Sequence, residues 1–243
     1  VMYEITKLTD SEVTFKENNK VPPHMMSLPW RLLLSSPSAS GKTLVLGNLL
    51  SKPQFGYKQA FGKNIFWMSP TAELGDPSLH GVDIPEENMF NTYRPDVIRE
   101  ILDDQEKLIQ RYGKESGKVP HVLLILDDLV TSIPTRKQNE LVDVFLSGRH
   151  RLLSVAIASQ VLRLVPVAIR LNASAFITFR VNNLERHKQA EEQAIDLDDF
   201  NRIYNEATKE PFSFLFVNMQ KPIKERYMKR FETVLSVEEK TDE

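Results

Sequence analysis

The sequence predicts an α/β fold with a mostly parallel central sheet flanked by helices. Short, almost wholly apolar runs recur along the chain, among them Trp30–Ser35, Asn64–Ser69, Val122–Asp128, Ser154–Ser159 and Ala175–Val181. Strands this uniformly apolar are buried on both faces, which is the signature of parallel strands covered by helices. Helical segments fall between them, so that strand and helix alternate. The 243 residues, 41% hydrophobic and 26% charged, suffice for one full core, and no change of composition divides them into two.

The elements follow in order. Residues 1–29 are mixed and polar and read as an N-terminal arm or edge strands, broken at Pro22-Pro23. The domain proper spans 30–235. Its first strand, Trp30–Ser35, runs into a turn rich in Ser, Pro and Gly, and Thr43–Leu50 then forms a helix stopped near Pro53. Asn64–Ser69 is a second strand, and 70–93 reads as a long loop. Arg94–Tyr112 is a helix with Pro95 in its first turn and Val97, Ile98, Ile101, Leu102, Leu108 and Ile109 on one face. Val122–Asp128 is a strand ending in two acids, and Asn139–Leu146 is helical. After the strands at 154–159 and 175–181, Leu197–Thr208 forms a helix capped by Asp196. Ser213–Val217 adds a strand and Arg226–Leu235 alternates like an edge strand. Residues 236–243 are an acidic tail.

Composition excludes several classes of function. The chain has no cysteine, which removes disulfide scaffolds, cysteine-zinc and iron–sulfur centres and thiol nucleophiles. A net charge of −2 argues against a protein that coats nucleic acid through bulk charge. The longest apolar stretch, Leu152–Leu162, is cut by Arg163, short of the roughly 20 residues of a membrane span. The first residues lack the basic and apolar regions of a signal peptide. His80, His121 and His150 are not spaced as metal ligands.

Four features point to chemistry. The segment Ser36-Pro37-Ser38-Ala39-Ser40-Gly41-Lys42-Thr43 follows a strand and opens a helix. It resembles the phosphate-binding loop G-x-x-x-x-G-K-[ST], with Ser36 in place of the first Gly. In such a loop the backbone N–H groups hold phosphate oxygens, Lys42 reaches the β- and γ-phosphates of ATP, and Thr43 offers its hydroxyl to Mg²⁺. Asp127 and Asp128 close an apolar strand; Asp127 is placed to hold the Mg²⁺ shell and Asp128 to polarise a water. An acid directly after the metal aspartate favours the class of P-loop enzymes with an extra strand between the loop strand and the acidic strand, and Asn64–Ser69 supplies a strand in the intervening sequence, although the sequence does not show which strands are neighbours. Gln160 ends the strand 154–159, where a polar side chain enters the ligand crevice. Arg149, Arg151 and Arg170 flank that strand, and an arginine supplied by a neighbouring subunit stabilises a transferring phosphoryl group.

Taken in order, SPSASGKT, LLILDD, GRHRLLSVAIASQ and the P-x-x-x-R-x-N stretch Pro166–Asn172 followed by AFITFRV resemble the FtsK–HerA superfamily of DNA-pumping ATPases. Within it they are similar to the genome-packaging branch of poxviruses, other large DNA viruses, virophages and polinton-like elements. The resemblance spans about residues 28–235, including Asp198–Val217, and implies a single RecA-like P-loop domain of the additional-strand (ASCE) class. It places Gln160 on the sensor glutamine, Arg149 on the trans-acting arginine and Arg170 on a second family arginine. It implies ATP and Mg²⁺ as cofactors. Its expected partners are double-stranded DNA, viral capsid proteins and other copies of the chain in a ring of five or six subunits, working at a viral assembly site in the host cytoplasm or in the virion. The expected function is an ATP-driven motor that packages double-stranded viral DNA into a preformed capsid. Arg136 and Lys137, and Arg186, His187 and Lys188, are the basic loop residues expected to meet DNA phosphates. The alternatives are another translocase of the same superfamily, a small-molecule P-loop kinase, and a non-catalytic nucleotide-binding capsid protein.

Overall fold

The computed structural model describes residues 21–38, 40–71, 76–130 and 133–236, with the backbone alone at 135–137. Residues 1–20 of the expected arm, Ala39, and residues 237–243 of the tail lie outside the described residues. The elements are β1 (Arg31–Ser35), α1 (Lys42–Ser51), α2 (Tyr57–Phe61), β2 (Ile65–Met68), β3 (Met89–Phe90), α3 (Pro95–Tyr112), β4 (Val122–Asp127), α4 (Thr135–Ser147) and β5 (Leu153–Ser159). Then come α5 (Val167–Leu171), β6 (Ala175–Thr178), α6 (Asn183–Glu192), α7 (Leu197–Ala207), β7 (Leu215–Asn218), α8 (Ile223–Arg226), β8 (Tyr227–Lys229) and β9 (Thr233–Val234).

Among the described residues these strands form one nine-stranded sheet in the order β3-β2-β4-β5-β1-β6-β7-β8-β9. From β3 to β6 all neighbours are parallel; β7, β8 and β9 continue antiparallel. The strand alternation sorts side chains onto two cores. Leu32, Leu34, Leu123 and Ile125 face Leu46, Leu49 and Phe61 on one side. Leu33, Leu124, Leu126 and Ile157 face Ile98, Ile101, Phe145 and Phe200 on the other.

Close approaches position two of the helices. Gly47 in α1 lies against the turn at Pro77–Leu79, and a Cβ there would come 1.9 Å from the Ser78 carbonyl oxygen. Gln105, buried on α3, donates its amide to the carbonyls of Pro120 and Arg151, both at 2.9 Å. Asp196 caps α7 by accepting from the amides of Asp198 and Asp199 at 3.0 and 3.3 Å.

One point that the sequence left open is settled, and three expectations are corrected. The strand inserted between β1 and the acidic strand β4 is β5, and β2 lies beyond β4. The expected edge strand at 226–235 is a hairpin, because Arg230 takes a left-handed conformation (φ 56°) between β8 and β9. Residues 183–192, read without an element, form α6 under an Asn182 cap. Met25 and Met26 are wholly buried, and Asn218 donates to the carbonyls of His24 and Met25, so packing begins ahead of Trp30 and that part of the arm is core.

Candidate nucleotide-binding site

Register brings the C-terminal ends of four parallel strands level. Ser35 pairs with Ser159 and with Thr178, and Asp127 pairs with Ala158. This edge of an open parallel sheet is where α/β proteins bind ligands. The loop from β1 to α1 crosses it. Its left-handed turn falls on Gly41 (φ 96°), just ahead of Lys42. Ser36 therefore needs no glycine-like freedom. It is buried and joins a hydroxyl brace, in which Ser40 Oγ donates to Ser36 Oγ at 2.5 Å and to the Pro37 carbonyl at 2.7 Å.

Lys42 is 7% exposed, and its ammonium donates to both carboxylate oxygens of Asp128 at 2.8 Å. Asp128 directly follows β4 in a left-handed conformation (φ 52°), which among non-glycine residues Asp and Asn adopt most readily. Its amide donates to the Ala158 carbonyl at 3.0 Å, which fixes it against β5. Gln160, the first residue after β5, donates its side-chain amide to Asp128 Oδ2 at 3.1 Å. The inserted strand thus delivers the glutamine to the acid.

Asp127 is buried behind this pair, with the Thr43 hydroxyl among the groups that favour its charged form. Its Oδ1 finds no hydrogen-bond partner among the described residues. Burial, then the Asp128 carboxylate, push its pKa up to about 6; Lys42 and Thr43 act against this and Asp76 adds to it. A buried carboxylate with too little positive charge around it suits a divalent cation. Mg²⁺ is typically held by one or two protein oxygens together with phosphate and water oxygens. Thr43 and Asp127 fit that demand. Among the described residues no group of three or more His, Asp or Glu is placed to hold a metal on its own.

Five predicted residues, Lys42, Thr43, Asp127, Asp128 and Gln160, therefore meet at one point. The other predicted residues lie elsewhere. Arg149 is exposed in the turn Gly148–Arg151 that precedes β5, at the opposite end of that strand from Gln160. Its charge acts on Arg31, at the start of β1. Arg170 does not join the site. It is buried, donates Nε to the Val165 carbonyl at 2.8 Å and forms an ion pair with buried Glu192, so its charge is taken up inside the fold. Arg186 and Lys188 lie on helix α6, not on a loop. Arg186 stacks over Tyr204 and bonds Asn201 and Asn183, and Lys188 pairs with Glu191 at 2.7 Å. Arg136 and Lys137 fall in the first turn of α4, and their side chains lie outside the described residues. Asp76, which feeds the field at Asp127, carried no motif by which sequence could have found it. A groove of about 520 Å³ beside α3, lined by Phe66, Phe90, Ile101 and Gln105, shares no residue with the loop.

The inserted strand, the loop at the sheet edge and the lysine–acid pair together define a P-loop NTPase fold. The comparisons narrow this. The chain belongs to the family described as poxvirus A32 protein, whose sequence model matches residues 14–198. It is 28% identical over 171 residues to the variola virus DNA packaging protein OPG160, and 27% over 187 residues to that of monkeypox virus. Those alignments cover 69% and 75% of this chain, and in both cases the chain spans 59% of the relative's length. The fold resembles the genome packaging NTPase B204 of Sulfolobus turreted icosahedral virus 2, solved with AMP (TM-score 0.52, 13% identity, 84% of this chain and 98% of that one). It also resembles the cytoplasmic domain of the type VII secretion ATPase EccC of Thermomonospora curvata (TM-score 0.53, 14% identity, 86% of this chain and 24% of that one).

Proposed function

We propose that this chain hydrolyses ATP to drive double-stranded DNA into a viral capsid. The observation that carries the reading is the bond of Lys42 to Asp128, with Gln160 on the same carboxylate and Thr43–Asp127 behind it. Family membership, and relatives named DNA packaging proteins, support the direction of the work. The site belongs at a viral assembly site or in the virion, and among the described residues no helix is long and apolar enough to cross a membrane.

In this mechanism the triphosphate lies on the loop amides at the start of α1, where the helix dipole favours negative charge. The phosphates compete with Asp128 for the Lys42 ammonium. Once Lys42 turns to them, Asp128 is free to orient a water. The water oxygen attacks the γ-phosphorus, the bond to the ADP oxygen breaks, and the water proton passes to the Asp128 carboxylate. Gln160 holds that carboxylate in place and registers the change. Thr43 and Asp127 would hold Mg²⁺, which when bound neutralises charge on the phosphate oxygens.

Arg149 cannot serve its own Lys42. The seven residues of β5 lie between Arg149 and Gln160, about 23 Å at 3.3 Å per residue. It acts, if placed on a neighbour's phosphates, in a ring of five or six copies around the DNA. The test is phosphate release by the full chain with Mg²⁺ and duplex DNA. We expect stimulation by DNA and loss of at least about 100-fold in Lys42→Ala. Equal turnover in the variant, or transfer of the phosphoryl group to a small acceptor, would reject the reading.

A further inference from the structure

We infer that Phe212 is the stacking platform for the nucleotide base, an assignment that rests on the nucleotide reading above and extends it. Phe212 is 73% exposed, the most exposed of the large apolar side chains described. It lies between α7 and β7, far from the loop in sequence. In space it stands beside it: a Cβ on Gly41 would meet the Phe212 ring at 3.8 Å. Leu44, half exposed in the first turn of α1, adds uncommitted apolar surface at the same helix end.

The backbone at Phe212 opposes an aromatic there. Pro211 and Phe212 are the central residues of a turn closed by Ser213 N–H to the Glu210 carbonyl at 3.2 Å. Phe212 has φ 58°. Proline followed by a left-handed residue is the type II pattern, whose second position ordinarily takes glycine. Folding would be served better by Gly, and among the described aromatics the Phe212 ring makes no ring–ring contact, whereas Phe214 packs on Phe179 and Phe231. A strained, solvent-facing ring at a phosphate loop is explained by what it touches when the loop is loaded.

The turn is also held from both sides. Arg180 donates to the carbonyls of Thr208 and Lys209, each at 2.8 Å. Glu210 pairs with Lys229 at 2.8 Å and with Arg230 at 2.9 Å, and Arg230 reaches Ser213 Oγ at 3.4 Å. The ring is therefore presented by a fixed support, which limits the ordering cost of binding. Stacking on an aromatic face is tolerant of base identity, so the platform serves purine nucleotides alike.

The experiment measures binding of ATP, GTP and inorganic tripolyphosphate to the full chain with Mg²⁺, for wild type, Phe212→Gly, Phe212→Ala, Phe212→Trp and Lys42→Ala. Phe212→Gly suits the turn and is expected to fold at least as well as wild type. Its affinity for ATP and GTP should fall about tenfold, as should that of Phe212→Ala, with tripolyphosphate unchanged. Phe212→Trp should keep ATP affinity and show fluorescence quenched by ATP. Unchanged ATP affinity in the Gly and Ala variants overturns the assignment, whether or not their oligomeric state changes. Equal losses for ATP and tripolyphosphate also overturn it, because Phe212 would then act only through the shape of the loop. If wild type binds neither ligand, the nucleotide reading itself falls. Wild-type binding that Lys42→Ala abolishes for both ligands upholds that reading independently of Phe212.

Discussion

Burial and the neighbouring Asp128 carboxylate lift the Asp127 carboxyl from an ordinary 3.8 to about 6. Without divalent cation, the folded state holds this proton at pH values where the unfolded chain has released it. The group's contribution to stability is therefore fully present below about pH 4 and is lost as pH rises through 6. The amount is at most about 3 kcal/mol. Urea unfolding in chelator at pH 5 and pH 7.5 should show Asp127→Asn gaining stability relative to wild type at the higher pH. A constant difference between the two proteins would contradict the buried, under-compensated carboxylate. At this scale the sequence was most informative where chemistry is tied to spacing. Lys42 and Thr43 follow the loop, and Asp127-Asp128 closes an apolar strand, so their types and places could be read together. Arg170 shows the limit. Its neighbours in sequence suit a functional arginine, but its partner, Glu192, is supplied by a helix formed later in the chain.

At the scale of elements, β5 does the most to organise the site. It pairs with both β1 and β4, carries Gln160 at one end, and leaves Arg149 at the other. That separation predicts complementation between subunits. Lys42→Ala and Arg149→Ala should each be inactive alone, the second by about 10³-fold or more. A mixture should recover phosphate release, because some interfaces pair an intact lysine with an intact arginine. Normal turnover by Arg149→Ala alone would refute the trans role. The turn at 77–79 gives a second test. Gly47→Ala should destabilise the protein by about 1–2 kcal/mol in urea unfolding despite alanine's better helix propensity, since its Cβ would clash with the Ser78 carbonyl. Unchanged or raised stability would contradict that packing. Strands were readable because each is a continuous apolar run. The identity of their neighbours was not, since pairing depends on crossovers, so the sequence left open which strand lies between β1 and β4. Helix α6 escaped because its buried face is polar, with Glu185 and Gln189 facing inward in place of an apolar stripe.

Over the whole molecule, a net charge of −2 is compatible with a DNA motor, because a ring needs positive potential only along its pore. The α/β class and the mostly parallel sheet followed from the apolar runs, and strands were expected at 213–217 and 226–235, but the antiparallel direction of β7, β8 and β9 did not follow, because an apolar or alternating pattern carries no strand direction. The basic residues picked out for DNA illustrate the same point: on α6, Arg186 and Lys188 are engaged by Tyr204, Asn201 and Glu191. The fold makes Asp128 the pivot, held by Lys42 and Gln160 and turned out at the end of the acidic strand by its left-handed conformation. Its most direct test is the substitution Asp128→Asn, assayed for ATP binding and for duplex-DNA-stimulated phosphate release on the same sample. ATP affinity should be kept or increased, since Lys42 no longer has a carboxylate to leave, and phosphate release should fall by about 10²-fold or more. Phosphate release at the wild-type rate would contradict the assignment of this site as the hydrolytic centre.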